Sequence, residues 1–164
     1  MKTRIHPPQD AVYDTMASPV GALTLIASPQ GLHGILWETD ECPVLPRSPA
    51  EPTIVATRQQ LQEYFEGKRK IFDLPLAPTG TDFQIQAWNQ LLHIPYGHTR
   101  SYGEQAAGLG DKKKARAVGM ANGRNPISIV IPCHRVIGSN GALVGFGGGL
   151  DIKAILLRLE AQFL

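Results

Sequence analysis

Residues 131–136 read Ile131-Pro132-Cys133-His134-Arg135-Val136, an apolar run that ends in proline and is followed by a cysteine–histidine pair. Sulfur is a strong nucleophile only as the thiolate, and a neighbouring imidazole is a common means of lowering the pKa of a thiol. An unperturbed thiol ionises near pH 8.5, so a pKa lowered by roughly two units needs about 2.7 kcal/mol of preferential thiolate stabilisation. The competing interpretation is a buried structural cysteine beside a core histidine. The surrounding sequence must decide between the two.

The segments on either side of this pair have distinct patterns. Residues 127–131 are predicted to form a buried extended run that leads into Cys133. A glycine-dense loop follows, and residues 150–163 are predicted to form the last helix. Lys153, Leu157 and Glu160 lie four and three residues apart, hence on one stripe of that helix. The two charges are either exposed ends of surface side chains or a buried functional pair, and the spacing alone favours the surface.

The segment before this run is predicted to be helical. Capping boxes at Thr81/Gln84 and Ser101/Glu104 open two helices, and Asp111 is the expected N-cap of a third helix over residues 112–121. Two short helices around a glycine-containing turn, the second rich in lysine and arginine, are typical of a helix-turn-helix. Residues 100–124 contain six basic and two acidic residues, whereas residues 1–99 contain seven basic and ten acidic residues. This asymmetry favours a polyanion-binding surface in the second half, although helical hairpins without that function are common.

The first half is predicted to be a small antiparallel sheet followed by a helix. Short apolar runs at residues 11–17, 20–27 and 32–37 alternate with turn-forming segments, and residues 54–65 have helical spacing that ends at Gly67. A proline-rich connection at residues 74–78 follows, which places a domain boundary near Gly80. This half holds no cluster of reactive side chains, so we assign it a scaffolding role.

Composition limits the class of protein. Of the 164 residues 43% are hydrophobic and 18% charged, as in ordinary globular proteins. No apolar run approaches the ~20 residues of a membrane span, and Met1-Lys2-Thr3-Arg4 leads into no signal-peptide core, so we expect a cytoplasmic protein without membrane contact. Cys42 and Cys133 belong to no Cys-x-x-Cys pair and the other histidines are scattered, which argues against a structural zinc site.

Seven motifs in the second half together resemble those of the O6-alkylguanine-DNA alkyltransferase family. They are Ile94-Pro95-Tyr96-Gly97, Ser101-Tyr102-Gly103-Glu104, Ala115-Arg116-Ala117-Val118-Gly119, Ala121-Asn122-Gly123, Asn125-Pro126-Ile127, the 131–138 segment around Cys133, and Gly147-Gly148-Gly149. The resemblance covers residues 81–160 closely and the first half only in the order of its elements. It implies an α+β protein with an RNase H-like domain of three antiparallel strands and a helix at residues 1–80. A mostly helical domain with the helix-turn-helix and the active-site cysteine would occupy residues 81–164.

The resemblance implies irreversible transfer of an alkyl group from guanine O6 in duplex DNA to Cys133. His134 would draw the thiol proton through a water molecule, and Glu160 would orient the imidazole. Tyr102 would donate a proton toward the leaving guanine and would contact the adjoining phosphate of the DNA. Two further residues would fix the hydrogen bonds of the site, Lys153 and Asn125. No cofactor and no metal ion is implied.

The resemblance also implies how DNA is held. The target base must leave the stack, and the second helix of the helix-turn-helix would enter the minor groove, with Arg116 taking the place of the extruded base. Small side chains on that helix would allow close approach to the sugars: Ala115, Ala117 and Gly119. The guanine pocket would be formed by Val136, Phe146, Gly147 and Gly148. We expect a monomer, and the sequence leaves open whether molecules cluster along DNA.

The chain departs from the family pattern in two respects, and two other functions compete with this interpretation. Many relatives carry tyrosine where Phe146 stands, so one pocket hydroxyl is missing, and the N-terminal zinc ligands of some members are absent. A DNA-binding protein with Cys133 as a redox sensor is one alternative, and a small cysteine hydrolase is another. The Pro-Cys-His-Arg context counts against the first, and the basic helix with Arg116 counts against the second.

Overall fold

Strands form the first part of the chain and helices most of the second. The structure is a computed structural model that describes residues 5–164. Residues 1–4, with which the predicted 1–80 domain starts and from which no signal-peptide core was expected, lie outside the described residues. Contacts divide the chain into two compact units. The first contains the described residues up to Thr79 together with Pro126–Ser128, and the second contains Gly80–Asn125 and Ile129–Leu164.

The first unit contains an antiparallel sheet and one helix. The strands pair in the order β1-β2-β3, and their bounds are β1 Val12–Met16, β2 Leu23–Ser28 and β3 Gly31–Leu36. Every residue of β3 is buried, because helix α1 (Pro52–Phe65) and later segments of the chain cover the sheet. The predicted sheet and helix are confirmed. The helix begins two residues earlier than predicted, at Pro52, because the carboxylate of Glu51 accepts the backbone N–H of Ile54 and caps it.

The connection after α1 is more ordered than its proline content predicted. Leu76 forms a parallel bridge with Leu32, and the Leu32 N–H donates to the carbonyl of Pro75 at 2.7 Å. Gly31 lies at this contact with a φ of +137°, and a Cβ there would stand 2.6 Å from the Pro75 oxygen. Only glycine fits such a close backbone approach, so this turn depends on residue 31 having no side chain.

The second unit contains four helices and a short parallel strand pair. In chain order its elements are α2 Asp82–Leu91, β4 Arg100–Ser101, α3 Tyr102–Gly108, α4 Ala115–Gly123, β5 Val136–Ile137 and α5 Leu150–Gln162. Both predicted capping boxes are present, with reciprocal bonds between Thr81 and Gln84 and between Ser101 and Glu104. These local signals were sufficient to locate the beginnings of α2 and α3, because each cap is complete within four residues.

Two segments differ from the sequence prediction. The single helix predicted over residues 112–121 is instead a 3-10 turn at Lys112–Lys114 followed by α4, because the Asp111 carboxylate accepts the N–H of Lys113 and closes a tight turn there. Residues 127–131 are buried as predicted but not extended throughout. Ile127 bridges to Ile35 of the sheet, and the chain then turns at Ile129, whose φ is +73°.

Two buried amide side chains link the helices of the helix-turn-helix. Gln105 of α3 donates to Asn122 of α4 at 3.0 Å and receives a bond from it at 2.8 Å. Gln105 also donates to the carbonyl of Ala87 in α2, and the indole N–H of Trp88 donates to the carbonyl of Ala121. These bonds specify one arrangement of α2, α3 and α4, because any other arrangement leaves buried amides without partners.

Removing this pair should destabilise the second unit. In Gln105→Leu the amide of Asn122 stays buried without its partner, so we expect the free energy of unfolding to fall by roughly 1–3 kcal/mol in urea titrations. Gln86→Leu is the matched control, because Gln86 is exposed on α2. Surface substitutions of that kind usually change stability by less than about 0.5 kcal/mol. Equal losses in the two variants would contradict a specific role for the pair.

Candidate active site

Cys133 occupies the first position of a 3-10 turn, Cys133–Arg135, and is only 8% exposed. Its backbone N–H donates to the carbonyl of Ile131 at 2.8 Å. The buried side chain of Asn125 donates to the same carbonyl at 2.7 Å, so Asn125 holds the backbone just before the thiol. Cys133 and Cys42 form no disulfide, and Cys42 is exposed. The lowered pKa that the sequence indicated for the Cys133 thiol stays a prediction.

The neighbouring His134 is fully buried against α5. Its Nε2 lies 2.6 Å from Oε2 of Glu160, which is itself 1% exposed. Arg135 binds the same carboxylate through Nε at 2.8 Å and Nη2 at 3.1 Å, and the backbone N–H of Gly97 donates to it at 3.1 Å. Burial on its own would raise the pKa of Glu160, but the hydrogen bond from His134 and the guanidinium of Arg135 hold that pKa well below its usual range.

The protonation state of His134 follows from this environment. Burial lowers the pKa of His134 below its ordinary value, against the opposing effect of Glu160, so the imidazole is neutral at pH 7. Because an ionised carboxylate can only accept hydrogen bonds, the ring proton must lie on Nε2. The other nitrogen, Nδ1, is then an acceptor, and it is buried with no hydrogen-bond partner among residues 5–164. The side chain therefore has the form that a general base requires.

Lys153 is fully buried, so the surface placement that the spacing of α5 favoured is wrong. Spacing shows only which residues share a stripe, and here the stripe faces inward. The ammonium donates to two backbone carbonyls, Val136 at 2.6 Å and Val144 at 2.9 Å, which provide the partners that a buried cation needs. Burial lowers the pKa of Lys153, while a negative charge on Cys133 would raise it. These two hydrogen bonds hold α5 against the backbone at Val136 and at Val144.

Tyr102 begins α3 and extends toward the same loop. Its hydroxyl donates to the carbonyl of Val144 at 2.9 Å, so this carbonyl accepts bonds from both Tyr102 and Lys153. Burial raises the pKa of Tyr102, with a further contribution from charge on Cys133, so the phenol keeps its proton at neutral pH. Its ring would be 3.6 Å from a Cβ placed on Gly119 of α4. Tyr102 therefore lies between the loop that contains Val144 and the second helix of the helix-turn-helix.

The exposed face of α4 is narrow, with an arginine near each end. The side chains of Arg116 and Ala117 are exposed, as are Met120 and Arg124 later on the same face, whereas Ala115 and Gly119 are half-buried. The three lysines of the preceding 3-10 turn are also exposed. This part of the surface combines positive charge with small side chains.

The remaining predicted residues lie around the loop after Cys133. Val136 is buried beside Ser101 and Arg100 in the β4–β5 pair, and Phe146, Gly147 and Gly148 are half-buried. Asn125 binds the backbone just before the thiol, and Lys153 and Tyr102 bind backbone carbonyls after it. His134 and Glu160 bind each other, and Glu160 also binds the backbone N–H of Gly97. Arg116 is exposed on α4, and its predicted role is on DNA.

Sequence reasoning assigned no role to three groups that the structure places in the site. They are Arg135, the backbone N–H of Gly97 and the carbonyl of Val144. Arg135 was visible in the Cys-His-Arg motif and Gly97 in Ile94-Pro95-Tyr96-Gly97, so both had a signal in the sequence. The Val144 carbonyl had none, because any residue supplies a backbone oxygen. Within residues 5–164 no group of three histidine, cysteine or acidic side chains could hold a metal ion, and no helix is long and apolar enough to cross a membrane.

Fold and site together define a protein of two compact units, with a buried cysteine in the same unit as a helix-turn-helix. Two family models match most of the chain: the ribonuclease-like domain of 6-O-methylguanine DNA methyltransferase over residues 11–78, and the DNA-binding domain of the same family over residues 82–162. The chain belongs to the 6-O-methylguanine DNA methyltransferase family. The family, the fold class and the methyltransferase class expected from the sequence are thereby confirmed.

Individual relatives match over nearly the whole chain. A methylated-DNA–protein-cysteine methyltransferase of Methanosarcina acetivorans is 47% identical over 153 residues, which is 92% of this chain and 98% of the relative. A crystal structure of Mycobacterium tuberculosis OGT in complex with DNA has a TM-score of 0.87 at 45% identity, over 92% of this chain and 93% of that one. The crystal structure of the M. tuberculosis O6-methylguanine methyltransferase gives a TM-score of 0.86 over 94% of each chain.

The neutral state of His134 should make stability depend on pH. Because the pKa is lowered in the folded protein, the unfolded chain binds a proton at about pH 6.5 where the folded protein does not, and acidification below that pH favours unfolding. We expect the free energy of unfolding to fall by up to about 1.4 kcal/mol per pH unit from this group between pH 6.5 and 5. The depressed pKa of Glu160 adds a further loss below about pH 4.5.

Urea unfolding across this pH range in His134→Gln tests the assignment. The variant should lose the part of the slope between pH 6.5 and 5 that comes from His134. His93→Gln is the control, because His93 is exposed in the same unit and should leave the slope as it is. Parallel curves for the wild type and His134→Gln would contradict a buried neutral imidazole.

Proposed function

We propose that this protein repairs O6-alkylguanine in duplex DNA by transferring the alkyl group to Cys133 in a single irreversible reaction. The observation that carries the proposal is the buried cysteine followed directly by a neutral His134, whose proton-bearing nitrogen is held by Glu160. The names of the relatives, which describe transfer from methylated DNA to a protein cysteine, support it. The family model over residues 82–162 is that of a DNA-binding domain.

The chemistry is an in-line displacement at the alkyl carbon. The thiol proton of Cys133 passes through a water molecule to Nδ1 of His134, the sulfur–carbon bond forms, and the carbon–O6 bond of guanine breaks. Tyr102 donates a proton toward guanine as it leaves, because a neutral leaving group departs more easily than its anion; such proton transfer contributes roughly 10²–10⁴-fold. The imidazolium proton returns to the solvent, from which Tyr102 recovers its own. The product is a thioether on Cys133, which water does not cleave.

Two other side chains keep the thiol in position. Asn125 binds the carbonyl of Ile131, two residues before the cysteine, and Lys153 binds the carbonyls of Val136 and Val144. In this proposal they fix the backbone that recognises the guanine edge at Cys133 and Val136. Phe146, Gly147 and Gly148 form the alkyl side of the pocket, where half-buried glycines leave room for the substrate.

The target base reaches this pocket only after leaving the helix stack, which costs a few kcal/mol. Helix α4 lies in the minor groove in this proposal, and exposed Arg116 fills the space that the base leaves. The small side chains on that face of α4 allow close approach to the sugars: Ala115, Ala117 and Gly119. Contacts in the minor groove discriminate little between DNA sequences, which suits a protein that searches for damage at any sequence. Residues 81–164 then carry DNA binding and the acceptor, and residues 1–80 serve as a scaffold.

Direct detection of the product tests the reaction. After incubation with a duplex that contains O6-methylguanine, mass spectrometry of protease digests should show one methyl group on the peptide with Cys133, at no more than one per molecule. Cys133→Ser should bind the duplex with wild-type affinity and transfer nothing, because the change is almost isosteric but removes the thiolate. An unmodified Cys133 beside unrepaired DNA would reject the proposal. Oxidation-dependent DNA binding would instead favour a redox sensor.

The role of Arg116 can be separated from the chemistry. Arg116→Ala should slow methyl transfer from the duplex by roughly tenfold or more, since the energy that compensates base extrusion is lost. Transfer from the free O6-methylguanine base should stay within about twofold of the wild type, because no base has to be extruded. Arg158→Ala is a matched control, since Arg158 is exposed on α5. Equal slowing on both substrates would remove the base-replacement role.

A further inference from the structure

We propose that Arg135 is a positioning residue of the alkyl transfer: it holds both oxygens of Glu160 so that His134 stays a neutral base with Nδ1 directed to the reaction. The expected effect on the rate of alkyl transfer rests on the proposed function. The expected protonation state of His134 rests on the geometry of the buried residues. Arg135 does not touch the reacting atoms in this account and acts through Glu160 and His134.

The guanidinium binds the carboxylate as a two-pronged fork. Its Nε donates to Oε1 of Glu160 at 2.8 Å, and Nη2 donates to Oε2 at 3.1 Å. The third nitrogen, Nη1, donates to the carbonyl of Ile94 at 2.7 Å, so the fork is also held from the opposite side. Arg135 is 6% exposed, and a planar fork of this kind cannot be reproduced by lysine. Both the position and the orientation of the Glu160 carboxylate are therefore determined by Arg135.

The carboxylate has no capacity left for a proton. A carboxylate offers about four lone-pair sites. Oε1 accepts from Arg135 and from the Gly97 N–H, while Oε2 accepts from Arg135 and from His134. With all four sites in use, Glu160 acts as a fixed acceptor and does not take the proton of the imidazole. The Nε2–H tautomer of His134 follows, and with it a lone pair on Nδ1.

The charge of Arg135 matters as much as its shape. The charges that act on His134 are those of Glu160 and Lys153 on α5 and of the neighbouring Arg135. Of the groups one step further away, Tyr96 lies with its ring 5.7 Å from the Arg135 guanidinium, and Tyr102 responds to charge on Cys133. Glu160 by itself would favour a protonated imidazole, because a buried anion needs a cationic partner. Arg135 already supplies that partner. The imidazole can therefore stay neutral until it receives the thiol proton.

Substitution of Arg135 should change the protonation of His134 before it changes the fold of the site. In Arg135→Met the carboxylate loses its guanidinium partner but keeps its contact with His134, so nitrogen-15 NMR of the histidine rings should show both nitrogens of His134 protonated at pH 7. In the wild type Nδ1 should have the shift of an unprotonated nitrogen. The rate of methyl transfer from the free O6-methylguanine base should fall by roughly 10²-fold at pH 7 and recover as the pH rises.

Two further variants complete the experiment. Arg135→Lys keeps the charge without the fork, so His134 should stay neutral while the rate falls by about tenfold; it also provides the test if Arg135→Met fails to fold. Arg158→Met on the exposed side of α5 should change neither the NMR signals nor the rate. Wild-type protonation of His134 together with a wild-type rate in the Arg135 variants would overturn the proposal.

A faster reaction in Arg135→Met with a protonated imidazole would also overturn it, since the sulfur would then react from a preformed thiolate–imidazolium pair. Failure of the proposed function has a different signature. In that case the wild type transfers no methyl group at any pH, whereas its His134 still shows the neutral Nε2–H form and Arg135→Met still shows the protonated one.

Discussion

The site depends on one buried carboxylate, that of Glu160, and on the four donors that surround it. Burying an isolated carboxylate is strongly unfavourable, so the chain has to bring compensating groups to it from several places. They come from the turn after α2 and from the 3-10 turn with the cysteine, whereas Glu160 itself lies on α5. Segments that are more than sixty residues apart in the chain are thus tied to one point. The position of the cysteine follows, because Cys133 directly precedes the two side chains that bind Glu160.

The parts of this structure that could be predicted are those that a few neighbouring residues determine. The capping boxes at Thr81 and Ser101 are such signals, and each located the start of its helix. The burial of Lys153 was missed because its partners are the carbonyls of Val136 and Val144, and no side-chain pattern reveals a carbonyl. The turn at Ile129 was missed for a related reason. A β-branched residue with positive φ costs energy, and the surrounding contacts impose that conformation against its local preference.

The helix-turn-helix and the cysteine site are stabilised by different kinds of interaction. Neutral amides and an indole N–H link α2, α3 and α4, so that geometry is insensitive to pH and to salt. The cysteine site instead contains ionised groups whose balance changes with every proton. This separation suits the proposed function, because α4 has to present the same exposed surface to DNA before and after a proton moves in the site. Tyr102 is the residue that belongs to both, since it begins α3 and binds the loop carbonyl of Val144.

The buried charges also bear on why the reaction runs once. With His134 neutral, the site holds the cations of Arg135 and Lys153 against one anion, Glu160. The excess positive charge favours a negative charge on the sulfur of Cys133, and the mutual effect of Cys133 and Lys153 on their ionisation has that sign. Alkylation converts the sulfur into a neutral thioether that cannot ionise again. In the proposed reaction the charges that favour a thiolate therefore have nothing further to act on, and the acceptor is consumed by its own reaction.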